Sequence, residues 1–391
     1  MPSSSLDLPK PRVVVSVAGA FHSFDLARQL HAAGHLERIY SSFNWERLQR
    51  EGLPRNLVST FPVLHPALML LGRFGVSVPE ALILRNQLLF DRWVVGRIPP
   101  CDVVVALSGG GLRTGARVQE RGGRYVCDRG SSHIRFQDRV LTEEYKRWGV
   151  SRIACNPGTI EREEAEYAQC DAITVPSEFA RRSFLEMGVP ANKVYKFPYG
   201  VDISRFAPVA DPPKDRFEVL FVGQVALRKG IPYLIEAFDR FSHPNKRLRI
   251  VGSIGNEIRP YLDRHLPDGV EFLGALPQSD LPRIMSSSHV LVLPSIEEGL
   301  ALVQGQALAC GCPIIASTNT GGSDLFTDGA EGFEVPIRSA QAITLRLAQL
   351  ADDPHLQRQM RAAALERVKS IGGWDDYGRK YLGFLKELTV G

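Results

Sequence analysis

The chain has 391 residues, a net charge of +4, and 44% hydrophobic and 23% charged residues. That length exceeds one ordinary core and predicts two domains of somewhat under about 200 residues each. So small a net charge gives no sign of an acidic tail protein or of a nucleic-acid partner. The six cysteines, at 101, 127, 155, 170, 310 and 312, show no paired zinc spacing. They read as reduced, mostly buried thiols of a cytoplasmic protein.

The first segment, MPSSSLDLPKPR, lacks the apolar core of a signal peptide. VVVSVA (13–18) is β-branched and predicts a buried parallel strand. A helix follows on the spacing of Phe24, Leu26, Ala27 and Leu30, ended by Gly34. Between strand and helix, Gly19 admits close backbone contact with a ligand, and His22 either faces that ligand or shapes the first turn. FPVLHPALMLLGRFGV (61–76) is the most apolar stretch, but Pro62, Pro66 and Arg73 interrupt it. It falls short of the ~20 apolar residues of a spanning helix. Membrane contact would then be peripheral, at the inner face. Phe61, Leu68, Leu71 and Phe74 would be buried there, and Arg73, Arg85, Arg92 and Arg97 would meet anionic head groups. The more ordinary alternative is interior helices of the first domain.

VVVAL (103–107) is a second strand, followed by SGGGLRTG. Asp128 lies 19 residues after Gly109 (128 − 109), which invites a dinucleotide reading. Thr114 replaces the third glycine and this is not the first strand, so a plain strand-to-helix turn is favoured. RYVC (124–127) and AITVP (172–176) are further strands. Ser177 is placed to cap the next helix and Gly188 to end it. APVADPPKDR (207–216) reads as a linker. The alternation then restarts with VLFVG (219–223), a helix over 232–241, RLRIVG (247–252), VEFLG (270–274), VLVLP (290–294), a helix over 301–310 and PIIAS (313–317). Two blocks of alternating strands and helices predict two doubly wound, Rossmann-like α/β domains facing a central cleft.

SIEEGLALVQGQALACG (295–311) carries chemistry. A buried strand ends at Pro294 and a helix is predicted to begin near Leu300. The free N–H groups of Gly299, Leu300, Ala301 and Leu302 would form an anion site for a diphosphate. Glu298 stands above that site. Gln306 lies eight residues on and faces the same cleft. In VLFVGQVALRKG (219–230), Arg228 and Lys229 precede a helix N-terminus, where a cation is unfavourable unless an anion binds. Taken singly, each of these residues is more often a solvated surface group.

The order of these landmarks resembles the retaining, two-domain glycosyltransferases of family 4, the group-1 type with the GT-B architecture. Pro294, Ser295, Glu298, Gly299, Leu302, Ala307, Ala309, Gly311 and Pro313 match the family's acidic loop and helix. The resemblance implies that Glu298 touches the donor sugar and that position 306 holds the ribose hydroxyls. It also implies that Lys229 neutralises the donor diphosphate. Gln224 stands where the family has Arg, with Arg228 offered as the replacement charge, and Gln306 stands where it has a second Glu. Leu300-Ala301 replaces Phe-Gly. Gly321 and Gly322 resemble the loop facing the donor sugar, with Asp324 where Glu is usual. His133 is the candidate for the family's sugar-contacting histidine. WDDYGRKYLGFLKEL (374–388) resembles a closing helix that returns to the first domain.

The implied boundaries are 1–200 for the acceptor-binding domain, 201–373 for the donor-binding domain, and 374–391 packed back on the first. The implied partners are a nucleotide-sugar donor and a saccharide or lipid-linked acceptor, with no cofactor. No metal is expected: Asp-x-Asp is absent, and Cys310-x-Cys312 lacks partner ligands. The competing readings are a non-catalytic binding subunit and an epimerase or NAD-dependent oxidoreductase on the same architecture.

Overall fold

Runs of valine, isoleucine and leucine suit strands covered on both faces, and the structure buries them so. The computed structural model describes residues 10–63, 80–264 and 266–390. In the first half lie β1 (Val13–Val17), β2 (Leu36–Ser41), β3 (Val58–Thr60), β4 (Val103–Leu107), β5 (Arg124–Asp128), β6 (Ala172–Val175) and β7 (Val194–Lys196). They pair in the order β3-β2-β1-β4-β5-β6-β7, all parallel. The second half holds β8 (Phe217–Val222), β9 (Lys246–Val251), β10 (Val270–Gly274), β11 (Val290–Leu293), β12 (Ile314–Ser317) and β13 (Gly332–Val335). Their order is β10-β9-β8-β11-β12-β13, again parallel. In each sheet the strand order reverses beside the first strand, at β1/β4 and at β8/β11. A ligand crevice opens at the carboxyl ends of such strands. The expected pair of doubly wound domains is present.

The chain returns to its beginning. The helix Trp374–Val390 packs against the helix Ser23–Ala32, and the Tyr381 hydroxyl lies 3.0 Å from Thr174 Oγ1. Gly200, in the connection between the sheets, crosses the 373–374 backbone. A Cβ there would sit 2.4 Å from Trp374 N, so the crossing leaves no room for a side chain.

Among the described residues no helix is long and apolar enough to cross a membrane. The helix Glu80–Val95 exposes Leu82, Ile83, Leu88 and Leu89, so it is not an ordinary interior helix along its whole length. Leu68, Leu71, Arg73 and Phe74 lie outside the described residues.

The glycine turn after β4 is occupied from within. The carboxylate of Glu166, on the helix Pro157–Gln169, accepts from Gly109 N (2.5 Å), Gly111 N (2.8 Å) and Leu112 N (3.0 Å). Arg162 donates to Gly109 O at 2.6 Å. Asp91 accepts from Arg113 N and Thr114 N at the start of the helix Leu112–Gln119, which follows the turn. Burial raises the Glu166 pKa to about 8, and Arg162 and the amides offset only part of that rise. Its hydrogen-bonding neighbours all donate, which is the environment of a carboxylate. The plain-turn reading holds, because the protein's own acids take the place a phosphate would need. Glu166→Gln should cost about 1–3 kcal/mol, since an amide nitrogen would face backbone N–H donors. Urea unfolding measures this, and a loss below about 0.5 kcal/mol would contradict it.

Candidate functional site

Lys229 ends a short turn, Leu227–Lys229, and the helix Ile231–Arg240 follows. Gly230 between them has φ +69°, and a Cβ there would stand 2.0 Å from Pro294 O. Only glycine lets this turn press against the loop after β11. That contact brings Lys229 to Glu298, with which it forms an ion pair. Both side chains are largely shielded, at 17% and 19% exposure. Gln224 is exposed on the loop after β8.

The helix after β11 is Leu302–Ala309, with Ala301 at its N-cap position, two residues later than expected. In its first turn Gln304 N donates back to Ala301 O at 3.0 Å, and Ala301 N, expected to be free for an anion, donates to Thr320 O at 3.4 Å. Leu300 and Ala301 are buried. The two glutamines of this helix have different tasks. Gln304 is buried and donates to Thr320 O at 2.9 Å, holding the loop after β12. Gln306 is half-buried and lines a cavity of about 350 Å³ with Asp25, Arg28, Gln278, Leu302 and Trp374. Gln224 is not among the residues lining it. Gly321 (φ +71°) lies against Gly299 O and Ser177 Cβ, each 2.7 Å from where a Cβ would be, and Gly322 abuts Phe326. Asp324 binds Lys196 at 2.7 Å and accepts from Glu178 N at 2.6 Å, both in the first half of the chain.

Glu297 was not among the residues singled out in the sequence. Its carboxylate is sealed from solvent. It accepts from Ser131 Oγ (2.6 Å), Ser132 N (3.1 Å), Ser132 Oγ (2.7 Å) and Gln137 Nε2 (2.9 Å), and pairs with Arg228 at 2.8 Å. Burial alone would raise its pKa. Arg228 and the hydroxyl and amide donors reverse this and hold it down at about 2. Gly299, two residues on, touches Gly130, where a Cβ would lie 2.1 Å from the carbonyl oxygen.

Two expectations need correction. Arg228 was offered as a diphosphate cation, but its charge is committed to Glu297, and its Nε donates to Glu297 O at 3.0 Å. His133 caps the helix Ile134–Arg147, accepting from Arg135 N at 3.2 Å. Its ring is buried against Tyr167 and Phe184. Burial, with help from Arg129 and Arg135, lowers its pKa to about 4. These are capping and packing contacts within the first domain, so His133 leaves the catalytic set. His22 is also enclosed: Nε2 meets Asp128 Oδ2 at 2.7 Å and Nδ1 meets the Tyr199 hydroxyl at 3.1 Å. Asp128 in turn accepts from Thr174 at 3.0 Å. Gly19 accepts from Ser41 Oγ at 2.6 Å. Both histidine nitrogens are thus engaged in a network that ties β1, β5 and β6 to the inter-sheet connection.

Residues 202–367 match the family described as glycosyl transferases group 1. The match covers the second domain and stops short of half the chain. Among curated relatives it is 27% identical over 239 residues to a GDP-mannose-dependent monoacylated alpha-(1-6)-phosphatidylinositol monomannoside mannosyltransferase of Corynebacterium glutamicum, covering 56% of this chain and 62% of that protein. It is 31% identical to the alpha-D-kanosaminyltransferase of Streptomyces kanamyceticus, over 45% of this chain and 47% of that one. The matches thus span less than two thirds of these relatives' length. Among solved structures, sucrose-phosphate synthase from Thermosynechococcus elongatus superposes with a TM-score of 0.73 at 19% identity, over 97% of this chain and 99% of that one. Anabaena HepE in complex with UDP-glucose gives 0.69 at 14%, over 96% and 100%. At these identities the likeness is one of fold, and the two facing parallel sheets are the GT-B arrangement of the glycosyl transferases.

Glu297 also makes a pH prediction. Its folded pKa lies below the ordinary carboxylate value of 4.5. Its stabilising contribution is therefore full above about 4.5 and is lost as pH falls toward 2. Between about pH 5 and pH 3 the wild type should lose stability more steeply than Glu297→Gln, by up to ~1.4 kcal/mol per pH unit for one proton. Urea midpoints across that range measure the slopes. Equal slopes would mean that Glu297 is not held ionised by its partners.

Proposed function

We propose that this chain is a glycosyltransferase. It moves a sugar from a nucleotide diphosphate donor to a saccharide or lipid-linked acceptor, with retention at the anomeric carbon, in polysaccharide or glycolipid assembly. The observation that carries the reading is the shielded Lys229–Glu298 pair beside the N-terminus of the helix Leu302–Ala309, facing the first domain. The group-1 family match over 202–367 supports it.

The donor diphosphate takes Lys229 from Glu298 and also meets the N–H groups of the first helical turn. That exchange frees Glu298 to accept hydrogen bonds from the sugar. The acceptor oxygen bonds to the anomeric carbon on the face from which the phosphate leaves. The carbon–oxygen bond to phosphate breaks, and the departing phosphate takes the acceptor proton. Negative charge grows on that phosphate, where Lys229 and the helix N-terminus are already aimed at it. Gly299, Gly321 and Gly322 give up their side-chain space to Gly130, Ser177 and Phe326, and so set the loops around the sugar. Gln306 faces the ribose in its cavity. Closure of the domains excludes the water that would hydrolyse the donor.

Lys229→Ala should weaken binding of UDP and GDP by about 1.5–3 kcal/mol, that is tenfold or more. Calorimetry that finds affinity within about twofold of wild type removes the phosphate role. Turnover of a panel of nucleotide sugars tests the class itself, and a chain that binds nucleotide without consuming any donor is a binding subunit.

An amide at 306 accepts one ribose hydrogen bond and donates another without charge. The diphosphate site lacks a cation at Gln224, so an uncharged neighbour lessens the repulsion on the phosphates. Gln306→Glu alone should leave donor affinity flat or lower it, and adding Gln224→Arg should restore it. A double-mutant cycle reads the coupling directly, and strong tightening by Gln306→Glu alone would end the compensation idea.

The exposed Leu82, Ile83, Leu88 and Leu89 share the helix Glu80–Val95 with the exposed Arg85 and Arg92. This arrangement supports peripheral contact with a membrane that carries the acceptor. In vesicle flotation the chain should float with phosphatidylserine-containing liposomes and not with neutral ones, and indifference to anionic lipid would sink this contact.

A further inference from the structure

Glu297 takes no part in the transfer chemistry, yet donors from both domains converge on it. Four of the five come from the segment 131–137 of the first domain, and the fifth is Arg228 of the second. Each side is prepared in advance. In the first domain, Arg129 is buried and paired with Glu163 at 2.9 Å. It donates to Gln137 Oε1 at 2.8 Å and to Ser132 O at 3.0 Å. This fixes the amide of Gln137 with its nitrogen toward Glu297. In the second domain, Ile296 N donates to Arg228 O at 2.8 Å and Arg228 Nε donates to Glu297 O. The loop 296–297 and the turn 227–229 therefore move as one piece. The next residue on each strand of that piece belongs to the proposed donor site: Lys229 follows Arg228, and Glu298 follows Glu297.

We propose that Glu297 is a positioning residue that couples contact between the domains to the setting of the Lys229–Glu298 pair. When the segment 131–137 is seated, the carboxylate is fully bonded and the loop has one arrangement. When the segment withdraws, water replaces four of the five donors and Arg228 is the carboxylate's remaining partner, while Asn319 still holds the loop backbone at Ile296 O and Glu298 N, each at 2.9 Å. The seam continues past Glu297: Ser177 Oγ donates to Gly299 O at 2.5 Å. The donor-binding half thus meets its catalytic geometry only against the acceptor-binding half. Hydrolysis in the open state is suppressed by the same device. The kinetic consequence rests on the transferase reading, and the seam itself does not.

The test uses the full chain with Ser131→Ala/Ser132→Ala and, as a milder variant, Gln137→Leu. Affinity for UDP and GDP is measured by calorimetry, donor consumption with UDP-glucose and GDP-mannose, and the radius of gyration by X-ray scattering. The expected result is a kcat lowered about tenfold or more, equivalent to ~1.4 kcal/mol of transition-state stabilisation, with KM and nucleotide affinity within about threefold. That split supports the coupling whether or not the scattering changes. Unchanged kcat overturns it, and so does a KM that rises while kcat stays level. If the double variant fails to fold, Gln137→Leu is judged by the same criteria. If the wild type consumes neither donor, the transferase reading fails for them, and scattering alone decides the seam. A larger radius in the double variant then supports Glu297 as the domain fastener, and an unchanged radius overturns it.

Discussion

A carboxylate sealed from water must find its hydrogen bonds inside the protein, and Glu297 finds most of them in the other domain. That requirement organises the whole junction. Glu144 is likewise buried and accepts from Trp148 (2.7 Å) in its own domain. From the second domain it accepts Tyr233 (2.9 Å) and Arg338 (2.7 Å). Arg338 holds the left-handed backbone conformation, φ 61°, in reaching across. Asp324 makes the reverse crossing to Lys196 and Glu178. A junction held by acids can part at modest cost, because water takes over the hydrogen bonds of each separated group. A junction of apolar surface would resist parting much more strongly.

The donor side of the cleft follows from crowding as much as from charge. Gly230, Gly299 and Gly321 each lie where a Cβ would fall within 2.7 Å of a neighbouring backbone atom. Gly230 and Gly321 draw three loops into a single knot, the turn after β8, the acidic loop after β11 and the loop after β12, and Gly299 presses that knot against Gly130 of the first domain. Lys229 and Glu298 neutralise each other inside the knot. Such a pair keeps either charge from standing alone in a shielded place. On the proposed reading, a diphosphate entering there exchanges one anion for another instead of meeting a bare cation.

The fold was largely legible because its strands are short runs of branched residues between glycines and prolines. β2, β3 and β13 escaped that reading. β2 is interrupted by Glu37 and Arg38, β3 has three residues, and β13 begins on Gly332 with Glu334 partly exposed. Lys229 and Glu298 were singled out from the order of residues around them, and the structure brings the two together as an ion pair. Glu297 was passed over although it is the neighbour of Glu298. Nothing local separates two adjacent glutamates, and what distinguishes them is Ser131, Ser132 and Gln137, about 160 positions earlier. His133 misled for the opposite reason. Its position after a strand suggested the cleft, but its ring fits between Tyr167 and Phe184, which only the tertiary packing reveals.

Glu166 gives the molecule a polarity. The glycine turn after β4 has the backbone donors of an anion site, and the second domain has a comparable one at the helix Leu302–Ala309. A tethered carboxylate already sits in the first, at 2.5–3.0 Å from its three donors. An intramolecular ligand acts at an effective concentration that free phosphate compounds do not approach. The first domain is thereby made deaf to phosphate, and two domains of similar build cease to be interchangeable. On the transferase reading proposed above, a nucleotide has one end of the cleft at which to be held, and the sugar it carries points across the cleft, toward the domain that has no use for its phosphates.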